Sequence, residues 1–170
     1  MQVHAQATLV EALAAWGAYE ASGRAQQQFP GQINVDVNDP LACVEFILWY
    51  RARVITALLA RVPQMTLKAT FNATDISKLV LFDGRTLDAW ISETNIAGGE
   101  SQRYFKDLAQ GSTPLQGSLL VAAQLIAPPP DLQFQHQILY EGWHRAAAIT
   151  ERAQAGFSDT IDAYIVLTAM

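Results

Sequence analysis

The chain has 170 residues, 51% of them hydrophobic and 16% charged, with a formal net charge of −5 and a pI near 5.0. That length fits one domain and can bury about 70% of its unfolded surface without a covalent staple. The acidic balance lacks the basic footprint of a duplex-DNA binder, and a single cysteine, Cys43, excludes an internal disulfide and a cysteine zinc cage.

The first residues, Met1 to His4, show no basic region followed by a long apolar run, so a cytoplasmic, bacterial-type protein is expected. Thr8-Leu9-Val10-Glu11 has the form of a capping box. It predicts a helix to about Arg24, with Leu9, Leu13, Trp16 and Glu20 on one face. Gln26 to Gly31 ends that helix in a loop. Asp39 as cap and Pro40 as first residue open a second helix. Apolar residues recur from Leu41 to Val62 at helical spacing, predicting one long helix, apolar around much of its girth. The two helices form a hairpin, and the second offers a seam for a homodimer or a protein partner. Glu45, Arg51 and Arg53 interrupt it, so no membrane span is expected. Arg51, Arg53 and Arg61 read as its wet side, which argues against sequence-specific DNA binding.

From Met65 the period changes. Thr66 to Phe71 alternates as a strand, and Leu79 to Phe82 is a second apolar run closed by Asp83-Gly84. Thr86 caps a short helix. Asn95 to Gly99 reads as a connector with two adjacent glycines, or the hinge of a lid. Ser101 caps a helix from Gln102 to Ala109, stopped by Gly111. Leu119 to Ile126 is a continuous apolar run, as in a central strand, ended by Pro128-Pro129-Pro130. Ser112, Thr113 and Ser118 have no Gly-X-Ser-X-Gly setting.

The stretch from Ile138 to Ile149 is the most informative. It reads as a strand from Phe134 to Tyr140, a tight turn at Gly142, and a helix from His144 to Ala155 that opens with His-Arg. A helix opening offers unpaired N–H groups and the positive end of the dipole, a seat for phosphate. His144 and Arg145 add donors there, and guanidinium fits phosphate with two parallel bonds. Glu141 could hold a magnesium ion beside the phosphate or accept a proton. Local roles stand beside these: Gly142 as a plain turn, His144 as a cap, and Arg145 and Glu141 as solvated charges. Trp143 reads as packing, Glu151 and Arg152 as a surface pair, and Asp83 and Asp88 as carboxylates that reach the site only if the earlier segment folds over it. His136 and His144 lack an evident third metal ligand.

Tyr140-Glu141-Gly142-Trp143-His144-Arg145-Ala146-Ala147-Ala148 resembles the Asp-Gly-X-His-Arg-X-Ala-Ala signature of the ParB/sulfiredoxin-like superfamily, and Thr160 to Leu167 fits the strand that follows it there. Glu141 stands in place of the signature's Asp, and Trp143 takes the position of the sulfiredoxin cysteine, so sulfinate reduction is not implied. The resemblance covers about residues 115 to 168. Taken with the N-terminal helical hairpin (1–63) read from the helical spacing, it implies an α+β fold in which that hairpin precedes a ParB/sulfiredoxin-like small mixed sheet with short helices (64–170) in one compact unit. It also implies a nucleoside triphosphate or other phosphorylated ligand, with Mg2+, at Gly142, His144 and Arg145. Glu141 and His144 would then be the catalytic groups of a phosphotransferase, nucleotide hydrolase or ParB-like nuclease. The alternative from a different class is a non-catalytic assembly module with a vestigial loop. The helix-turn-helix module of partition proteins is not found in the sequence.

Overall fold

A computed structural model describes residues 1–112, 115–127 and 133–169. Thr113 and the prolines expected to end the strand at Ile126 lie outside the described residues. The fold is mixed α+β, built on a six-stranded mixed sheet. Its strands are β1 (Gln2–Ala7), β2 (Pro63–Asn72), β3 (Val80–Leu81), β4 (Leu119–Ala127), β5 (Gln133–Glu141) and β6 (Thr160–Thr168), in the order β1-β2-β6-β4-β5-β3. β6 pairs antiparallel with β2 and parallel with β4, while β4 pairs antiparallel with β5. β5 and β6, consecutive in the chain, are therefore separated by β4. The short β3 lies parallel to β5.

Helices cover both faces of the sheet. Leu67, Phe71, Val121, Leu139, Ile161 and Ile165 pack against Ala146, Ala147 and Ile149 of α8 (Trp143–Gln154), Trp90 of α6 (Leu87–Ala97) and Phe105 of α7 (Gly99–Gln110). Leu120, Ala122, Tyr140 and Val166 pack on the opposite face against Leu13 and Trp16 of α1 (Leu9–Ser22), Ile47 of α3 (Pro40–Tyr50) and Leu58 of α4 (Ala52–Leu59). Two short helices, α2 (Arg24–Gln28) and α5 (Ala73–Ile76), complete the frame. This second cluster joins residues from before and after position 63 in one core.

The local signals place the element starts. The Thr8 hydroxyl accepts from the Glu11 amide and the Glu11 carboxylate from the Thr8 amide. Asp39 accepts from Leu41 with Pro40 at the first turn, and Thr86 caps α6 through the Ala89 amide. The long second helix is corrected to two. At Arg51 (φ −120°, ψ 28°) the backbone leaves the helix, α4 restarts, and the Arg51 side chain turns to the Glu20 carboxylate. The seam between α1 and α3 is unusually close: a Cβ placed on Gly17 would lie 2.1 Å from the carbonyl oxygen of Cys43. The outer face of α3 stays open, with Leu41 67% and Trp49 65% exposed. The pairing of Glu151 with Arg152 is also corrected, since adjacent helical residues point to different sides. Lys106 binds Glu151 at 2.6 Å, and Arg152 binds Asp159 at 2.6 Å. Among the described residues no helix is long and apolar enough to cross a membrane.

Candidate functional site

The strand-turn-helix at β5 and α8 forms one wall of a cavity of about 690 Å³. The opposite walls come from α1, through Tyr19 and Glu20, and from α7, through Ser101, Arg103, Tyr104 and Asp107. Arg51, at the break between α3 and α4, closes a further side. Glu141, Gly142, His144 and Arg145 all line this space. Asp83, Asp88, His136 and Trp143 do not. Asp83 bonds Arg85 instead, and His136 is exposed on β5. Trp143 packs between Phe82 and Trp90, with ring centroids 5.5 and 6.0 Å away.

Gly142 takes φ +98°, a backbone that other residues rarely adopt. A Cβ there would lie 2.4 Å from Cδ2 of Leu119 on β4, so glycine also permits the turn to press on the sheet. Gly142 is the N-cap of α8 and supplies no side-chain cap, leaving the first-turn amides without a side-chain acceptor. Arg145, in that first turn, is only 3% exposed. Its Nη2 donates to the Ser118 carbonyl at 3.0 Å and lies 3.7 Å from Glu141 Oε1. Its guanidinium stacks 4.3 Å over the Tyr19 ring. Among the described residues its buried Nε has no hydrogen-bond partner.

Glu20 is the site's hidden carboxylate, 2% exposed. Its Oε1 accepts from Arg51 Nη2 at 2.6 Å, Arg51 Nε at 3.1 Å and Trp16 Nε1 at 3.3 Å. Its Oε2 is buried and, among the described residues, without a partner. The sequence shows Glu20 only as one residue of an amphipathic stripe. The signal that singles it out is a carboxylate on the apolar face of α1, one turn beyond Trp16.

Glu141 sits in the cavity wall with 23% of its side chain open. Burial pushes its carboxyl above the usual range; Arg145 and Arg51 pull it back, and Glu20 pushes it up further. Tyr19 and Tyr104 join hydroxyls at 2.8 Å across the cavity wall. Burial first, and then the Tyr19 contact, raises the Tyr104 phenol above its ordinary value. His144 meets Ser101, with Nε2 and Oγ 2.6 Å apart. Its ring lies edge-on to Trp90 and Tyr104, each centroid 5.2 Å away. Among the described residues no cluster of three or more His, Cys, Asp or Glu could hold a metal ion.

Arg51 and Arg61, expected on the wet side of one helix, are both engaged. Arg51 faces Glu20 in the cavity, and Arg61 Nε donates to the Tyr140 hydroxyl at 2.8 Å. No family model, no curated protein and no solved structure matches the chain.

Proposed function

We propose that the cavity binds a phosphate-bearing small molecule, a nucleoside triphosphate first among them, with a phosphate seated at Gly142, His144 and Arg145. The carrying observation is Arg145: a buried guanidinium whose Nε has no hydrogen-bond partner among the described residues, in the first turn of a helix without a side-chain cap. Helix openings favour anions, and a buried donor without a partner is costly until a ligand satisfies it. The volume, about 690 Å³, suits a nucleotide-sized ligand. The strand-glycine-His-Arg-helix arrangement supports the ParB/sulfiredoxin-like reading of the motif.

The residues present fit phosphate better than they fit a protein-held metal. Mg2+ uses one or two carboxylates together with substrate phosphates. Glu141 is the residue that would hold it, next to the phosphate seat. The ion, when bound, would neutralise phosphate charge during transfer or hydrolysis. Glu141 also has the raised carboxyl that suits a proton acceptor working nearer neutrality.

The test is a thermal-shift panel of ATP, CTP, GTP, their diphosphates and inorganic phosphate, with and without Mg2+. Ligand binding to the folded state raises Tm by mass action. Arg145→Ala should cost about 1.5–3 kcal/mol of affinity, the usual worth of a charged hydrogen bond. Arg145→Lys, which keeps the charge but loses the planar fork, should fall between the two. Equal binding by folded Arg145→Ala and the parent protein would overturn the assignment. A second reading, an assembly module, is favoured by the exposed Leu41 and Trp49 on α3. It gains if no ligand of the panel shifts Tm.

A further inference from the structure

We propose that Ser101 is a nucleophile activated by His144, so that phosphoryl transfer at this site passes through a covalent phosphoserine. The inference rests on the phosphate-seat reading and adds an acceptor to it.

The geometry begins at the corner between α6 and α7. Gly98 and Gly99 both take positive φ, +66° and +83°, and the chain passes there from α6 into α7 within two residues. That turn lays the first turn of α7 against the first turn of α8 and brings together two residues 43 positions apart. Ser101, expected to cap this helix, is instead its third residue: α7 starts at Gly99 with Gly98 as its cap, and the Ser101 hydroxyl meets His144. The 2.6 Å contact lies within the reach of a nucleophile and its base. Trp90 and Tyr104, edge-on to the imidazole, fix its orientation. Ser101 and His144 both line the cavity, on the side of the α8 opening where the phosphate is placed.

In the tautomer with its proton on Nδ1, His144 accepts the Ser101 hydroxyl at Nε2. Ser101 Oγ attacks the terminal phosphorus of a phosphoric anhydride. The Oγ–P bond forms as the bond to the leaving oxygen breaks, and the hydroxyl proton passes to Nε2. His144 then returns that proton to the leaving oxygen, giving phosphoserine and the shortened nucleotide. The first-turn amides of α8 and Arg145 can stabilise the charge on the transferring group. Water then attacks the same phosphorus and gives a proton to His144 Nε2; as the Oγ–P bond breaks, His144 passes that proton to Oγ, releasing phosphate and restoring Ser101.

The probe is a fluorophosphonate applied to the full chain, read by intact mass and peptide mapping. One adduct per chain is expected, on Ser101, with fluoride displaced. Labelling should vanish in Ser101→Ala and slow about 100-fold or more in His144→Gln, the usual contribution of a general base. If His144→Gln does not fold, the selectivity of labelling for Ser101 over the other serines of the folded parent protein, lost on denaturation, carries the test. No adduct, an adduct elsewhere, or labelling of folded His144→Gln at the parent's rate would overturn the proposal. The nucleotide panel separates it from the underlying reading. A nucleotide shift with unlabelled Ser101 removes the nucleophile and leaves the phosphate seat. Labelled Ser101 with no nucleotide shift keeps the nucleophile and removes the nucleotide.

Discussion

Glu141 stands where burial and neighbouring charge compete, and burial wins. In the unfolded chain such a carboxyl ionises near its ordinary value of 4.5, whereas in the fold it keeps its proton to higher pH. Between those two values the folded state binds more protons than the unfolded state, so rising pH costs stability through that window. Glu141→Gln removes the titration. Its Tm relative to the parent protein should therefore climb as pH rises above about 4.5, and level off once the folded carboxyl has ionised. A Tm difference that stays flat from pH 4 to 8 would contradict the assigned environment. At this scale the sequence reveals the residues that are neighbours in the chain. Glu141, Gly142, His144 and Arg145 sit within five positions and share one cavity. Their partners are distant. Tyr19 under Arg145, Glu20 with Arg51, and Ser101 with His144 meet only through tertiary packing. Of these, only Glu20 carries a local mark, as a carboxylate on the apolar face of α1. The glycine's strongest constraint, Leu119 at 2.4 Å from a Cβ on Gly142, also comes from another strand.

Among the elements, the α1–α3 seam is set by a single missing side chain. A methyl on Gly17 would overlap the Cys43 carbonyl, with oxygen at 2.1 Å and carbon at 2.7 Å. Both atoms are backbone and cannot swing aside. Gly17→Ala gains helix propensity of up to about 1 kcal/mol, yet must push two helices apart. Overpacking of this kind typically costs 1–3 kcal/mol and occasionally more. The net effect expected is a Tm lower by several degrees, measured by calorimetry; an unchanged or higher Tm would show that the seam yields freely. Capped helix starts are readable because Thr8, Asp39 and Thr86 act on amides two or three residues away. The break at Arg51 is not, because apolar spacing continues through it and the Glu20 carboxylate that Arg51 meets there lies 31 residues earlier. β1 is faint in the sequence for a different reason. Gln2 to Ala7 alternates polar and apolar residues, but two of its three apolar residues are alanines, a weak strand signal, and the strand is held by pairing with β2.

Taken as a whole molecule, the fold puts two layers of helices around one sheet, and the cavity draws on both ends of the chain. Tyr19, Glu20 and Arg51 come from the stretch expected to form the N-terminal helical hairpin, and they line the same space as His144 and Arg145. The α+β class could be read from the change of period at Met65. The placement of β6 between β2 and β4 could not, since strand order is a matter of long-range pairing. The close seam at Gly17 has one more consequence. The chain's only cysteine lies in it, 1% exposed, its thiol directed at the carbonyls of Asp36 and Val37 and raised in pKa by burial and by Asp39 and Asp36. Alkylation therefore requires the packing over the thiol, from the loop at Asp36 and Val37 to the α1–α3 seam, to open, which makes Cys43 a built-in clock for that opening. A maleimide should react in the native protein far more slowly than in the denatured chain. A cavity ligand touching Tyr19, Glu20 and Arg51 should slow it further, reporting occupancy without any engineered label.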